Sequence, residues 1–393
     1  MRITCLAMLV TALCALGTAA DARPFGENVQ PRGEFQNARS KFVTEKSGRV
    51  AFLGGSITEM EGYRPMVCEL LKKRFPETKF TFVAAGIGST CSTTGAFRLA
   101  TDVFGDGPVD LLFVEFAVND DQDAAHTRDE CIRGMEGIVR HARALNPNVD
   151  IVITFFVNEA MLQALRDKKT PLTIEAHQAV AEHYNIPTIN LAREVAQEID
   201  AGKLTWKQYG GVHPAPYGNA ICARMIDELF NRTWVDAPPA TVKAHATPEK
   251  PLDAFNYEHG RFINPKEAKA AAGWTLAVPD WSKLPGSKRP RFTKIPMLVA
   301  TEPGAELTLA FQGTSVGAYV VAGPDAGIVE ASIDGGDPRK VDLYHRFSKT
   351  LHYPRTVILG TQLSPGKHTL KLRVSQETHS AGHAIRVMQF VAN

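Results

Sequence analysis

A regular alternation of short apolar runs and longer helical repeats, between Val50 and Phe230, constrains the fold more than any other feature of the sequence. Runs of this length are typical of buried strands, and the stretches between them repeat apolar residues at helical spacing. The predicted strands are 49–53, 80–84, 111–118, 151–157 and 187–191. Strands that alternate with helices form βαβ units, in which helices cover both faces of a parallel sheet. The sequence therefore predicts a three-layer α/β domain.

The composition changes at Asp236, where a polar, proline-bearing stretch begins. Beyond it, apolar residues no longer follow helical spacing but alternate in short runs, as at 307–311 and 328–333. Glycine- and proline-containing turn sequences separate these runs, a pattern that favours antiparallel strands. We expect an α/β domain over residues 23–235, a linker over 236–265, and a smaller antiparallel β-sandwich over 266–393.

Residues 1–22 have the features of an export signal. Arg2 supplies a positive charge, 3–16 is an apolar run too short to cross a bilayer comfortably, and Ala20-Asp21-Ala22 offers the small residues that signal peptidase requires. We expect a signal peptide, an extracytoplasmic (periplasmic or secreted) protein, and no membrane span after the signal is removed. The alternative is that the apolar run remains as a membrane anchor.

Charge and motif content give no reason to expect nucleic acid, a metal or a cofactor. The chain has 44 Lys and Arg against 42 Asp and Glu, with no basic block, so no surface is predicted for a polyanion. Its histidines and cysteines form neither an HExxH nor a CxxC motif, which are spacings typical of zinc sites. Four cysteines remain after signal removal, and disulfides or free thiols are both open for them: Cys68, Cys91, Cys131 and Cys222.

Three motifs place polar or reactive side chains at the ends of predicted elements. Gly54-Gly55-Ser56 follows the first predicted strand, Asn119 follows the third, and His213 precedes the last helix of the α/β domain. In open α/β sheets, ligands bind beyond the carboxyl ends of the strands. Each motif alone also has an ordinary explanation, as a glycine-serine turn, an Asx-turn or a structural histidine.

A glycine-rich run at 85–90 follows the second predicted strand. It lacks the lysine of a phosphate-binding loop, but it can present a backbone N–H. In this order the four pieces resemble the SGNH (GDSL-like) hydrolase superfamily, whose name-giving residues correspond here to Ser56, Gly88, Asn119 and His213. The resemblance covers roughly residues 46–232, and it implies an SGNH-type, flavodoxin-like fold that works without a cofactor or metal.

The chemistry that this resemblance implies is acyl transfer to serine. Ser56 attacks an ester carbonyl while His213 accepts its proton. The N–H groups of Ser56 and Gly88, with the side-chain amide of Asn119, bind the oxyanion.

One position departs from the family pattern. SGNH enzymes usually carry an aspartate three residues before the histidine, and this chain has Gly210 there. Three explanations are open: a Ser–His dyad, a substitute acid, or a protein that binds without catalysis. The candidate substitute acids at nearby strand ends are Asp120, Asp121 and Glu115.

An exported SGNH-type domain joined to a β-sandwich resembles carbohydrate esterases that remove acetyl groups from polysaccharides. We therefore expect a serine esterase whose partner is an acylated carbohydrate or another ester. A lipase or thioesterase on free acyl esters is the alternative enzyme, and a non-catalytic glycan-binding protein is the alternative of another class. The 345–355 segment of the sandwich, which is rich in aromatic and basic residues, can reach the cleft.

Overall fold

The structure is a computed structural model that describes residues 24–393. The predicted signal peptide, residues 1–22, lies outside the described residues, together with Cys5 and Cys14. None of the helices within 24–393 is both long and apolar enough to cross a bilayer.

Six strands form the sheet of the first domain: β1 (Val29–Gln30), β2 (Ser47–Gly54), β3 (Lys79–Gly86), β4 (Leu111–Glu115), β5 (Asp150–Thr154) and β6 (Thr188–Ile189). They lie in the order β1-β6-β5-β4-β2-β3, and every neighbouring pair is parallel except β1 with β6. β4 and β5 are buried along their whole length, as expected for strands covered on both faces. The fold class predicted from the alternating pattern is confirmed.

The described part of the chain contains ten α-helices: α1 (Asn37–Thr44), α2 (Ser56–Glu59), α3 (Tyr63–Arg74), α4 (Ser92–Asp102), α5 (Arg128–Leu145), α6 (Glu159–Arg166), α7 (Leu172–His183), α8 (Leu191–Asp200), α9 (Trp206–Tyr209) and α10 (Pro216–Thr233). The longest begin with recognisable signals, since a capping box of Thr127 and Glu130 precedes α5 and Pro216 opens α10.

Two local predictions differ from the structure. The strand expected over 111–118 ends at Glu115, because the chain turns into a helical segment in which the N–H of Asp120 donates to the carbonyl of Phe116 at 2.8 Å. The sequence also predicts that Thr173 caps a helix reaching Tyr184, because threonine is a favoured helix N-cap; in the structure Thr173 lies inside the first turn of α7. Pro171 precedes that helix instead.

Eleven strands form the second domain: β7 (Arg261–Ile263), β8 (Lys269–Ala270), β9 (Trp274–Ala277), β10 (Met297–Ala300), β11 (Glu306–Gly313), β12 (Val316–Ala322), β13 (Ile328–Ile333), β14 (Arg339–Asp342), β15 (Tyr353–Gly360), β16 (Gly366–Val374) and β17 (Ile385–Ala392). One antiparallel sheet has the order β15-β12-β17-β10-β9, with β7 also paired to β17, and the other has the order β14-β13-β16-β11-β8. An apolar core that includes Leu309 and Leu370 of one sheet and Val320 and Val387 of the other joins them as a sandwich.

The segment between the domains is bound to the surface of the first domain. The N–H groups of Leu252 and Asp253 donate to the buried carboxylate of Glu136 at 2.6 and 2.8 Å, and Arg143 donates to the carbonyl of Ala246 at 2.7 Å. The first sandwich strand, β7, lies inside the stretch 236–265 that the sequence indicated as a linker.

The larger apolar core extends from the first domain into the second. Besides the interior of the α/β domain, it contains Phe292, Met297, Tyr319, Met388 and Val391 of the sandwich. The two domains therefore share one apolar interior, which fixes the second domain against the first.

The four cysteines for which the sequence left two states open are free, buried thiols: Cys68, Cys91, Cys131 and Cys222. Burial raises the pKa of Cys68 to about 11 and that of Cys131 to about 12. Both thiols are therefore protonated at neutral pH, a state in which they are poor nucleophiles.

Candidate active site

The side chains of Ser56 and His213 meet at the carboxyl edge of the parallel sheet. Ser56 is the first residue of α2, directly after β2, and His213 lies in the loop between α9 and α10. Nε2 of His213 lies 2.8 Å from Oγ of Ser56. This is the hydrogen-bond distance that a general base needs to accept a proton from a nucleophilic hydroxyl.

The two glycines before Ser56 are needed for space. A Cβ atom on Gly54 would lie 2.4 Å from Oε1 of Glu115, and one on Gly55 would lie 2.1 Å from Oδ1 of Asn119. Neither glycine has a positive φ. The sequence indicates a sharp turn here, but the close approach of two side chains from the end of β4 is the reason that glycine is required.

Asn219, on α10, holds the loop that carries His213. Its Nδ2 donates to the carbonyl of Pro214 at 2.6 Å, and its Oδ1 accepts the N–H of Tyr63 at 2.9 Å. The side chain is buried, so these bonds fix the residue after His213 to the start of α3. Asn219 therefore positions the imidazole through its backbone.

Among residues 24–393, the imidazole of His213 has no acidic partner on its other nitrogen. Across residues 24–393, the only side-chain hydrogen bond of His213 is the one to Ser56, and no carboxylate forms an ion pair with it. His213 is exposed, so Nδ1 faces solvent rather than an orienting acid. Gly210, where the family has aspartate, has a φ of 108° and ends α9.

The three candidate substitute acids each bind other groups. Oδ2 of Asp121 accepts from Asn158 at 2.7 Å. Oδ1 of Asp120 accepts the N–H of Ser92 at 2.8 Å, and its Oδ2 lies 2.9 Å from Nε2 of His177. In the described chain neither acid contacts His213.

Glu115 lies beneath the nucleophile turn rather than beside the histidine. Its Oε1 accepts the N–H of Gly55 at 3.0 Å and both the N–H and the hydroxyl of Thr58, at 3.2 and 2.8 Å. Burial raises its pKa to about 7, although these hydrogen bonds lower it. Glu115 therefore shapes the backbone on both sides of Ser56.

Asn119 lies against the nucleophile turn, as its contact with Gly55 shows. Its Nδ2 donates to Oδ2 of Asp123 at 2.8 Å, while its Oδ1 is buried without a partner among the described residues. A side-chain amide nitrogen carries two hydrogens. One is used by Asp123, and the other is free to bind an oxyanion.

The backbone N–H of Gly88 is already engaged. It donates to Oε2 of Glu59 at 2.8 Å, and the other carboxylate oxygen of Glu59 accepts from Arg291 of the second domain at 2.9 Å. This N–H reaches a substrate oxygen only if Glu59 releases it. Of the three expected oxyanion donors, only the N–H of Gly88 is bound by Glu59; the N–H of Ser56 and the amide of Asn119 are not.

Two cysteines and two histidines surround Asp120 at distances that fit a metal ion. They form two groups of potential ligands that share its carboxylate: Cys91 with His126, and Cys131 with His177. Both oxygens of Asp120 already accept hydrogen bonds from Ser92. Burial would raise the pKa of Asp120, but His126 and His177 lower it overall. The carboxylate thus acts as a buried acceptor that links α4 and α7.

Sequence reasoning missed the residues that support this site from a distance. Arg98, fully buried on α4, donates to the carbonyl of Gly54 at 3.0 Å, and Tyr353 donates to Asp123 at 2.7 Å. Asp123 and Asn219 stand near motifs that the sequence makes conspicuous, but each also has a partner in a distant part of the chain, Tyr353 and Tyr63 respectively. No local signal indicates such pairs.

An open groove of about 890 Å³ lies between the two domains, and Ser56 and His213 are not among its lining residues. Polar residues from the loops after β4 and β5 form one side, and Tyr344, His345 and Arg346 of the sandwich form the other. Asp123, which binds Asn119, is among the lining residues. The groove therefore begins next to the candidate oxyanion donor.

Similarity to known proteins bears on the fold of the chain. Residues 52–221 match the GDSL-like lipase/acylhydrolase family. Across both domains, the structure resembles that of a two-domain esterase active on acetylated mannans, co-crystallised with mannopentaose, with a TM-score of 0.73, 21% identity, and coverage of 93% of this chain and 97% of that one. A second structure of a two-domain esterase active on acetylated mannans gives a TM-score of 0.73 at 20% identity and the same coverage. No curated protein matches the chain in sequence.

Proposed function

We propose that this chain, whose residues 52–221 match the GDSL-like lipase/acylhydrolase family, is a hydrolase of carboxylic esters that removes O-acetyl groups from a carbohydrate by a Ser–His mechanism. The observation that carries the mechanism is the distance of 2.8 Å between Nε2 of His213 and Oγ of Ser56. His213 accepts the serine proton as Ser56 attacks the acetyl carbonyl, and then donates it to the leaving sugar oxygen, which departs as a hydroxyl. Water releases acetate from the acyl-enzyme in a second, equivalent step.

The oxyanion of each tetrahedral intermediate binds to the N–H of Ser56 and to the free hydrogen of the Asn119 amide. Gly88 contributes a third donor when Glu59 moves away. The base works as half of a dyad, because the 206–219 segment orients the imidazole through its backbone: Asn219 binds the carbonyl of Pro214. Loss of one oxyanion donor typically costs about 100- to 1000-fold in rate, so Asn119 is the most sensitive position after the dyad.

The groove supports a carbohydrate substrate. It is open, and nine of its twelve lining residues carry a polar group, whereas a lipase needs an apolar channel for the acyl chain. Tyr344 and His345 on the sandwich side offer flat rings of the kind that pack against sugars. The structural neighbour with both domains is an esterase active on acetylated mannans, which makes an acetylated mannan the first substrate to try.

Acetate release from acetylated mannan, with acetylated xylan in parallel, tests the proposal. We expect release by the wild type, its loss in Ser56→Ala and His213→Ala, and retention in His379→Ala, which alters an exposed histidine of the sandwich. Equal release by wild type and Ser56→Ala would exclude the Ser–His mechanism. Rates that rise with chain length along a series of p-nitrophenyl esters would favour a lipase or thioesterase instead.

Glycan binding without turnover of any acetate ester would favour the non-catalytic alternative. The acetate-release assay, repeated with a labelled acetyl donor and an added sugar acceptor, also reports on acyl transfer. Transfer would place the labelled acetyl group on the acceptor. We also propose an extracytoplasmic location, supported by the signal-like residues 1–22. Expression of the full chain, followed by N-terminal sequencing of the exported form, checks for cleavage near Ala22.

A further inference from the structure

We propose that the second domain is part of the catalytic apparatus, because Tyr353 positions the oxyanion donor Asn119 through Asp123. This inference rests on the proposed function, in which the Asn119 amide binds the oxyanion. Tyr353 is a positioning residue in this arrangement, since it touches neither the ester nor Ser56.

The connection consists of two short hydrogen bonds, one of which crosses the domain boundary. The hydroxyl of Tyr353 donates to Oδ1 of Asp123 at 2.7 Å, and Nδ2 of Asn119 donates to Oδ2 of the same carboxylate at 2.8 Å. Tyr353 opens β15, an edge strand of the sandwich, whereas Asp123 and Asn119 belong to the loop after β4. One carboxylate thus joins the sandwich to the candidate oxyanion donor.

This carboxylate determines which way the Asn119 amide faces. An ionised carboxylate only accepts hydrogen bonds, so Asp123 must face the nitrogen of the amide and not its oxygen. The Oδ1 of Asn119 is buried without a partner in the described chain, a costly arrangement that persists only if another contact fixes the side chain. Asp123 supplies that contact, and the second amide hydrogen is then held in one direction.

Tyr353 in turn is held rigidly. It is buried, and its ring stacks on that of His345 with centroids 4.5 Å apart. The backbone carbonyl of Gln122, next to Asp123, accepts a hydrogen bond from Arg346. The segment that begins at Tyr344 therefore both lines the groove and fixes the loop that carries Asn119.

The protonation state of Asp123 gives this arrangement a distinctive pH dependence. Burial raises the pKa of Asp123, whereas the hydrogen bonds from Tyr353 and Asn119 lower it. Loss of the tyrosine hydroxyl therefore raises the pKa of Asp123 further, and protonation of Asp123 weakens its bond with the Asn119 amide because the charge that strengthens this bond is lost. The other titratable or charged groups that face Asp123 or line the adjoining cavity are Arg346, His345, His126, Glu130, Arg133, Arg339 and Arg355.

The test compares Tyr353→Phe with Tyr319→Phe, using p-nitrophenyl acetate, an ester with no sugar. Tyr319 is a matched control, because it is a buried tyrosine of the same sheet whose hydroxyl has no partner in the described residues. We expect Tyr353→Phe to lower kcat about fivefold, the effect of one hydrogen bond, with KM unchanged and the acidic limb of the kcat profile at higher pH. Tyr319→Phe should match the wild type.

A double-mutant cycle shows whether Tyr353 acts through Asn119. If it does, adding Tyr353→Phe to Asn119→Ala causes no further loss of kcat. If Tyr353→Phe does not fold, as judged by circular dichroism, Asp123→Asn replaces it in the cycle with the same expectation. The proposal is overturned if the folded variant matches Tyr319→Phe, or if its effect adds fully to that of Asn119→Ala. A fully active Ser56→Ala would instead contradict the proposed function, so the two failures are distinguishable.

Discussion

Gly210 and Ala215 approach each other so closely that a Cβ atom on residue 210 would lie 2.0 Å from the backbone nitrogen of Ala215. The N–H of Ala215 donates to the carbonyl of Tyr209 at 2.8 Å, which closes the loop around His213. The position at which related enzymes carry an aspartate is therefore closed to any side chain in this backbone. In the proposed mechanism the Ser–His pair therefore works without that acid.

Gly210→Asp should not rebuild a triad. We expect lower stability, by about 1–3 kcal/mol from the strained φ alone and more from the clash, together with reduced kcat/KM. Gly211→Ala is the matched control, because Gly211 also has a positive φ, of 81°, but no other group lies within 4 Å of the place that a Cβ would take. Thermal unfolding and esterase assays of both variants check this, and an active, stable Gly210→Asp would refute it.

Asn219→Asp should loosen the His213 loop while leaving α10 intact. The carboxylate still accepts the N–H of Tyr63 but cannot donate to the carbonyl of Pro214. We expect kcat to fall about tenfold because the base is misplaced, and stability to fall by about 1 kcal/mol. Asn231→Asp, on the exposed side of the same helix, is the control in steady-state kinetics and urea unfolding. Equal kcat values for the two variants would rule out a positioning role.

Glu115→Gln should alter how stability depends on pH. The pKa of Glu115 is raised in the folded state to about 7 from its ordinary value of 4.5. Between these values the folded chain binds a proton that the unfolded chain has lost, so stability falls as pH rises through this window and is constant above it. A shift of this size corresponds to about 3 kcal/mol.

Urea unfolding at about pH 4.5, 6 and 8 measures that effect. We expect the difference in free energy of unfolding between Glu115→Gln and wild type to change by about 2–3 kcal/mol in favour of the variant from low to high pH. Glu69→Gln changes an exposed carboxylate that pairs with Lys72. Its difference in free energy of unfolding from wild type should vary little with pH. Parallel curves for Glu115→Gln and wild type would contradict the buried, titrating carboxyl.

Periodicity predicts the architecture because strands and helices of the first domain leave long, regular patterns. The short strands β1 and β7 have two and three residues, too few for any periodic signal, so the sequence pattern does not reveal them. The strand predicted at β4 extends too far because Phe116 and Val118 are apolar. Both are buried, but in a helical segment, and the sequence pattern does not distinguish this from a longer strand.

The candidate site can be predicted only as far as its motifs are local. Ser56 and His213 stand in distinctive glycine-containing sequences, and the structure brings them together. The partners of Gly88 and Asn119, namely Glu59 and Asp123, are ordinary acids in the sequence. Their significance depends on Arg291 and Tyr353, more than 200 residues away, and such distances leave no pattern in a single chain.

The apolar interior that Tyr319, Met388 and Val391 share with the α/β domain has a practical consequence for anyone dissecting this protein. The esterase domain and the sandwich are not independent domains joined by a flexible linker. Cutting near residue 235 would leave the hydrolase with an exposed apolar face that promotes aggregation. Grafting a foreign binding module in place of the sandwich would restore neither that contact nor the lost wall of the groove. We therefore expect the two domains to be transferred between proteins only together, as one unit.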